Sequence, residues 1–350
     1  MAYFDIIIVG QGVAGTLLHY ELTKRGQTVL VIDQGHKQAA SAVASGLINP
    51  ITGRKYVKSW MFEELYPQAR KTYEGLGKLL DQIFIRDHAI VRTLTSIKEE
   101  NLWYSKSTIP SYEKYFVSDV DDSEYQKLIK DSISFGEVKG GAKIELRNLI
   151  TSYRQYLSVR DQLLVDKFNY DELQQLKRDK WQYRDYSCGK IVFCEGWQLR
   201  QNPFFEKLGR EAAKGEVLIV KLKGNVITKS IKRKIFITPL KDDLYWVGST
   251  YEWAFDDAQP TINKKQYLVE ALDAMYEGEY EIVDHWAGVR PTTADRRPLL
   301  GEHSANRNMF VFNGLGTKGA SLAPYWALQM VAYLLDGQVI MPEVDISRHS

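Results

Sequence analysis

Apolar and polar positions alternate between two periods along this chain. Residues 3–9 (YFDIIIV) end in four consecutive β-branched residues, Ile6 to Val9, the pattern of a strand buried on both faces. Gly10-Gln11-Gly12-Val13-Ala14-Gly15 then opens a helical stretch with apolar residues at Val13, Leu17, Leu18 and Leu22, and Gly26 stands where a C-cap glycine is expected. Residues 27–32 predict a second strand, which ends on Asp33. Strand, glycine turn, helix and strand make one βαβ unit.

The pattern is patchier downstream. Residues 60–80 turn helical and 83–94 look like strand, whereas 99–139 are polar, aromatic and irregular. Residues 152–185 predict helix or loop, and 191–194 a short buried strand that ends at Glu195-Gly196-Trp197. Residues 217–220, 235–238 and 245–247 predict successive strands of an antiparallel sheet. A strand over 309–312 runs into Gly314-Leu315-Gly316-Thr317-Lys318-Gly319, and an apolar helix over 322–335 follows. No repeat or low-complexity linker divides these pieces, so two domains, each entered more than once, are expected.

Composition narrows the functional classes. With 350 residues, 44% hydrophobic and 26% charged, the chain is neither disordered nor fibrous. A formal charge of +2 gives no overall field for nucleic acid or an anionic membrane, so neither is expected as a partner. Residues 229–234 (KSIKRK) invite a nucleic-acid reading, but the alternation fits a strand edge blunted by lysines better. Two cysteines, Cys188 and Cys194, exclude a disulfide framework, and the six histidines show no metal spacing. No targeting segment or membrane span is evident, which predicts a cytoplasmic protein. The sequence carries no signal of oligomeric state.

The N-terminal unit carries a specific chemistry. Gly10 permits a tight turn, Gly12 lets a diphosphate approach the backbone, and Gly15 lets the helix pack on the strand. The helix N-terminus, at Val13 and Ala14, faces the diphosphate with free N–H groups and the positive end of its dipole. Asp33, 18 residues past Gly15, can accept hydrogen bonds from ribose hydroxyls and would repel a 2′-phosphate. This fingerprint alone does not separate FAD from NAD.

Four further segments resemble the D-amino-acid-oxidase-like family of FAD enzymes, which includes glycine and sarcosine oxidases. Residues 41–50 (SAVASGLINP), with Ser45 and Gly46, resemble the small-residue loop that lies along the cofactor. Residues 192–197 (VFCEGW), with Gly196 and Trp197, resemble the family's strand and Gly-Ala-Trp turn. Residues 286–301, from Trp286-Ala287-Gly288-Val289-Arg290-Pro291 to Gly301, are similar to its tryptophan-glycine-leucine-arginine-proline signature. Residues 314–324 resemble the glycine-rich turn at the flavin end, with Gly314, Gly316, Thr317, Lys318 and Gly319 as candidate cofactor contacts. A weaker similarity of residues 45–50 and 319–324 is to the FAD domain of the bifunctional tRNA-wobble-uridine enzyme.

The resemblance implies an α/β fold: a Rossmann-like FAD-binding domain (1–57, 140–213 and 286–350) interleaved with an antiparallel β-sheet substrate domain (58–139 and 214–285). It implies FAD, held without a covalent bond because no cysteine lies near the C-terminal turn. It assigns Arg290 to a substrate carboxylate, which a guanidinium grips bidentately. The reaction implied is hydride transfer from the α-carbon of an amino acid or related small amine to the flavin, the imine product then being hydrolysed. Thr317 stands where glycine-oxidase-like members carry a second arginine, so glycine specificity is not carried over; Phe236, Tyr251, Thr317 and Lys318 are the candidate pocket residues. Gly314-x-Gly316-x-x-Gly319 leaves one alternative, a nicotinamide site and thus an NAD(P)H-dependent flavin reductase.

Overall fold

The computed structural model describes residues 2–35, 39–117, 119–176, 180–209 and 211–349. The β-branched run forms the strand Ala2–Val9, which pairs in parallel with Val29–Ile32 on one side and Tyr186–Phe193 on the other. Leu163–Leu164 and Met309–Asn313 extend this parallel core outward to five strands. The antiparallel strands Leu173–Leu176, Lys180–Tyr183 and Leu299–Glu302 complete an eight-stranded sheet.

Side-chain alternation explains why the core strands are apolar throughout. Ile6 and Ile8, with Val29 and Val31, pack under helices Val13–Lys24, Phe62–Leu80, Leu146–Ser158 and Gly319–Asp336. Ile7 and Val9, with Leu30 and Ile32, join Phe168, Tyr183 and Phe193 on the opposite face. Each fully buried aliphatic side chain contributes about 1.5–3 kcal/mol, so both faces demand large hydrophobes. Gly26 adopts φ +76° just past the first helix, as its C-cap position predicts.

The second sheet has nine strands and is mostly antiparallel. Its order runs Tyr280–Pro291, Ala212–Leu222, Leu244–Gly248, Phe236–Pro239, Ser230–Lys232, Ile85–Leu94, Ser134–Ile144 and Leu47–Ile48, with Phe116–Val117 on Ser134–Ile144. The expected segment limits at 139/140, 213/214 and 285/286 fall inside three of these strands, each paired within the second sheet.

Two local expectations are corrected. Ser230–Lys232 is no blunted edge, because it pairs on both sides, with Ile85–Leu94 and with Phe236–Pro239. Residues 99–139 are not irregular throughout. Helix Ile97–Ser107 starts at Ser96, whose Oγ accepts from Glu99 N–H at 3.2 Å, while Glu99 Oε2 accepts from Thr95 N–H at 2.9 Å. Trp103 is its one large apolar residue in the core, too little to register as a helical stripe.

Candidate active site

All five parallel strands direct their C-terminal ends at one cavity of about 1310 Å³, more than the roughly 300–1,000 Å³ common for one small ligand. This is the crevice where open α/β sheets bind ligands. Room for a cofactor and a substrate together is therefore present.

The first wall is the glycine turn of residues 10–15. Gly10 has φ +99°, and a Cβ there would come within 2.5 Å of the Cys194 carbonyl oxygen. A Cβ on Gly12 would meet Ser41 Oγ at 3.5 Å and nothing closer, so this glycine keeps the approach to the helix start open. Gly15 does not line the cavity; its Cβ would sit 1.9 Å from the Gly10 carbonyl oxygen, so its role is packing. Every other position expected to contact cofactor or substrate does line it.

Asp33 is held on both carboxylate oxygens. Its Oδ2 accepts from Gln11 N–H at 2.8 Å, and Oδ1 accepts from Gly35 N–H at 2.8 Å and Arg154 Nη1 at 2.6 Å. Arg154, on helix Leu146–Ser158, carried no signal in the sequence, where it is one more charge on an amphipathic helix. Glu195 also went unsignalled. It accepts from Tyr170 Oη at 2.6 Å and Asn202 Nδ2 at 2.8 Å, and burial pushes its carboxyl up to about 7 against those hydrogen bonds.

The second helix N-terminus comes from the far end of the chain. Gly314 and Gly316 take φ +71° and +54°, and Gly316 N–H donates to the Pro291 carbonyl at 2.8 Å. A Cβ on Gly319 would lie 3.2 Å from Val13 Cγ1, so helices Gly319–Asp336 and Val13–Lys24 begin side by side on the cavity. Two dipole ends thus favour negative charge there. Gly46, at φ +76°, is required for a different reason, since its Cβ would be 1.9 Å from the Ile144 carbonyl oxygen. Gly196 opens on the cavity at φ +59° with its carbonyl accepting from Asn313 Nδ2 at 2.9 Å, and Trp197 follows it. Glycine turns, a clear approach and paired helix starts suit an extended dinucleotide such as FAD.

The second sheet supplies the remaining wall. Arg290, opposite Ala213 in register, donates through Nη2 to Ser249 Oγ at 2.7 Å and through both Nη atoms to the Thr250 carbonyl at 3.3 Å. Its guanidinium lies 5.3 Å from the Tyr251 ring centre, and burial lowers its pKa. No acid pairs with it among the described residues. Gly215 makes the space: a Cβ there would be 1.9 Å from Nη2. Lys318 Nζ donates to Ser59 Oγ at 3.1 Å, and burial, then Arg296 and Arg297, hold its pKa down. Thr317 beside it is exposed.

Residues 5–334 match the FAD dependent oxidoreductase (DAO) family. The chain belongs to that family. This DAO-family oxidoreductase is 24% identical over 354 residues to glycine oxidase of Bacillus licheniformis, covering 96% of this chain and 94% of that one. It is 26% identical over 367 residues to the bifunctional protein ThiO/ThiG of Trichormus variabilis, covering 95% of this chain and 53% of that one. Its fold matches the crystal structure of glycine oxidase from Geobacillus kaustophilus with a TM-score of 0.83 at 19% identity, over 100% of this chain and 98% of that one.

The nicotinamide alternative is not favoured. A second dinucleotide unit needs a strand after helix Gly319–Asp336, and none follows among the described residues. No helix among the described residues is long and apolar enough to cross a membrane.

Proposed function

We propose that this oxidoreductase oxidises an amino acid or related small amine that carries a carboxylate. The observation that carries the reading is Arg290: a partly buried guanidinium on the cavity wall, with Ser249 and Thr250 as its partners and, among the described residues, no acid paired to it. A cation withdrawn from water in this way is costly, and a substrate carboxylate would complete it with charge-assisted bonds. FAD, when bound, supplies the acceptor for the hydride that leaves the substrate α-carbon with its two electrons; water then hydrolyses the resulting imine.

The chain's own work is positioning. Gly10, Gly12, Val13 and Ala14 would hold the diphosphate and Asp33 a ribose. Ser45, Gly46, Gly196 and Trp197 would flank the cofactor, with Gly314, Gly316, Thr317, Lys318 and Gly319 at its flavin end. Arg290 would set the substrate's α-carbon, while Phe236 and Tyr251 shape the apolar side. In this assignment segments 1–57, 140–213 and 286–350 form the FAD-binding domain, which also lends Arg290 to the substrate, and 58–139 and 214–285 form the substrate-binding domain. FAD would be held non-covalently: burial pushes the Cys188 thiol up to about 12 and the Cys194 thiol well above its usual value, so neither offers a thiolate.

Replacing Arg290 by Lys tests the assignment. Lysine keeps the charge but not the bidentate fork. Half-saturation for flavin bleaching by an amino acid should rise by roughly 30-fold or more, corresponding to about 2 kcal/mol or more, with FAD still bound. Unchanged half-saturation would remove Arg290 from this role.

A further inference from the structure

Charge is distributed unevenly around the cavity. Among the described residues its acidic lining residues, Asp33, Asp166 and Glu195, all follow parallel strands of the first sheet, and the wall formed by the second sheet contributes cations without acids. Arg92 and Lys232 stand directly opposite each other on the neighbouring parallel strands Ile85–Leu94 and Ser230–Lys232. Arg54, between the paired segments Ile51–Thr52 and Val57–Lys58, lines the same cavity, and its charge together with that of Arg92 bears on Lys232.

These cations lack the counter-charges given to others nearby. Arg92 Nε is buried without a hydrogen-bond partner, and its guanidinium lies 5.2 Å from the Tyr56 ring centre. Lys232 Nζ donates to the Lys234 carbonyl at 2.9 Å and lies 4.4 Å from the Phe236 ring centre. Among the described residues no acid forms an ion pair with Arg54, Arg92 or Lys232. Glu99, whose charge reaches Arg92, accepts instead from Thr95 N–H at 2.9 Å and Thr95 Oγ1 at 2.8 Å. The two lysines of the same sheet that are buried are paired by contrast: Lys143 with Glu145 at 2.8 Å and Lys214 with Glu216 at 3.4 Å. Like charges directly opposite on paired strands destabilise a sheet, so an unpaired set facing a cavity calls for an anion from outside.

Register fixes where that anion lies. Lys232 is opposite Phe236, and Phe236 is opposite Gly248, so Arg92, Lys232, Phe236 and Gly248 form one row on one face. Arg290 donates to Ser249, the residue after Gly248. Two strand spacings therefore separate the Arg290 end from Lys232, roughly 10 Å at ~4.8 Å per step. The geometry points to a second anion subsite at Arg54, Arg92 and Lys232, which takes a phosphate or carboxylate at the far end of a substrate whose carboxylate is held by Arg290. Phe236, midway along the row, packs against the apolar stretch between the two charges. This substrate class rests on the reading of Arg290 above.

The test uses FAD-loaded protein and equilibrium binding, read from the perturbation of the flavin spectrum. The probes are nonanedioate, its monomethyl ester, and the analogue with a phosphonate at one end. Nonanedioate and the phosphonate should each bind at least about tenfold tighter than the ester, as a charge-assisted contact warrants. Lys232→Gln and Arg92→Gln should each bring that ratio down to about threefold or less, with FAD content reporting that each variant is folded. The end group that gains more over the ester identifies the natural anion as phosphate or carboxylate. Equal binding of all three probes to the parent protein, or a ratio that survives both substitutions, overturns the subsite. Failure of the Arg290 reading looks different: Arg290→Lys would then leave the ester's affinity intact.

Discussion

Glu195 permits a quantitative test of how the nucleotide crevice is built. Its carboxyl is held at about 7 against an ordinary 4.5, chiefly by burial. The folded chain therefore binds a proton that the unfolded chain has released between those two values. Stability is lost as pH climbs through this window, and the penalty is complete above about pH 7. A shift of roughly 2.5 units corresponds to about 3 kcal/mol at most, and contact with cavity water brings the expectation down to about 1–3 kcal/mol. Glu195→Gln removes the titration and preserves the shape; its amide oxygen can accept from Asn202 Nδ2, and its NH2 can donate to Tyr170 Oη. Urea unfolding of FAD-free protein should show the variant level with the parent near pH 4 and more stable by about 1–3 kcal/mol near pH 8. FAD affinity reads the same charge independently. A Cβ on Gly10 would lie 3.3 Å from Glu195 Cα, so the backbone of Glu195 abuts the Gly10 turn, and Glu195 lines the same cavity. FAD should bind the parent less tightly above pH 7, and the variant should bind it equally across the range. A stability difference that is the same at both pH values would refute the reasoning.

Other substitutions probe separate parts of the molecule. Gly15→Ala places a Cβ against the Gly10 carbonyl oxygen, backbone that cannot yield, so denaturant titration should show a loss of about 1–3 kcal/mol or more and fluorimetric titration weaker FAD binding. Gly136→Ala would drive a Cβ into the Trp103 ring beneath the second sheet; a similar loss of stability is expected, with the bound flavin spectrum unchanged. Burial, then Arg92 and Arg54, hold Lys232 at about 8. Since the anion binds the protonated amine, the advantage of dianion over monoanion should fade as pH rises through about 8, as spectral titration at a series of pH values will report.

Sequence was most informative where local physics decides the outcome. The βαβ unit was legible because Ile6 to Val9, the glycine turn and Asp33 obey one local rule each, and the structure brings them together at one crevice. The C-terminal turn was legible from its glycines, two of which need positive φ. Residues whose role depends on distant partners were not. Arg154 matters because helix Leu146–Ser158 packs beside a strand end more than a hundred residues away, and Glu195 because Tyr170 and Asn202 meet it. Lys232 was misread for a similar reason: its alternating pattern fits an edge, and the pairing with Ile85–Leu94 that makes it internal joins residues about 140 apart. Gly215 shows the same limit, since its lack of a side chain has meaning only beside Arg290.

Anaerobic mixing of the FAD-loaded protein with a panel of amines tests the oxidase-type chemistry most directly. D-amino acids, glycine, sarcosine and L-proline would be compared with 2-hydroxy acids, NADH and NADPH, following bleaching of the flavin band. At least one carboxylate-bearing amine should reduce the flavin fully while the nicotinamides leave it oxidised; reduction by NADH or NADPH alone, with every amine inert, would contradict the proposed reaction.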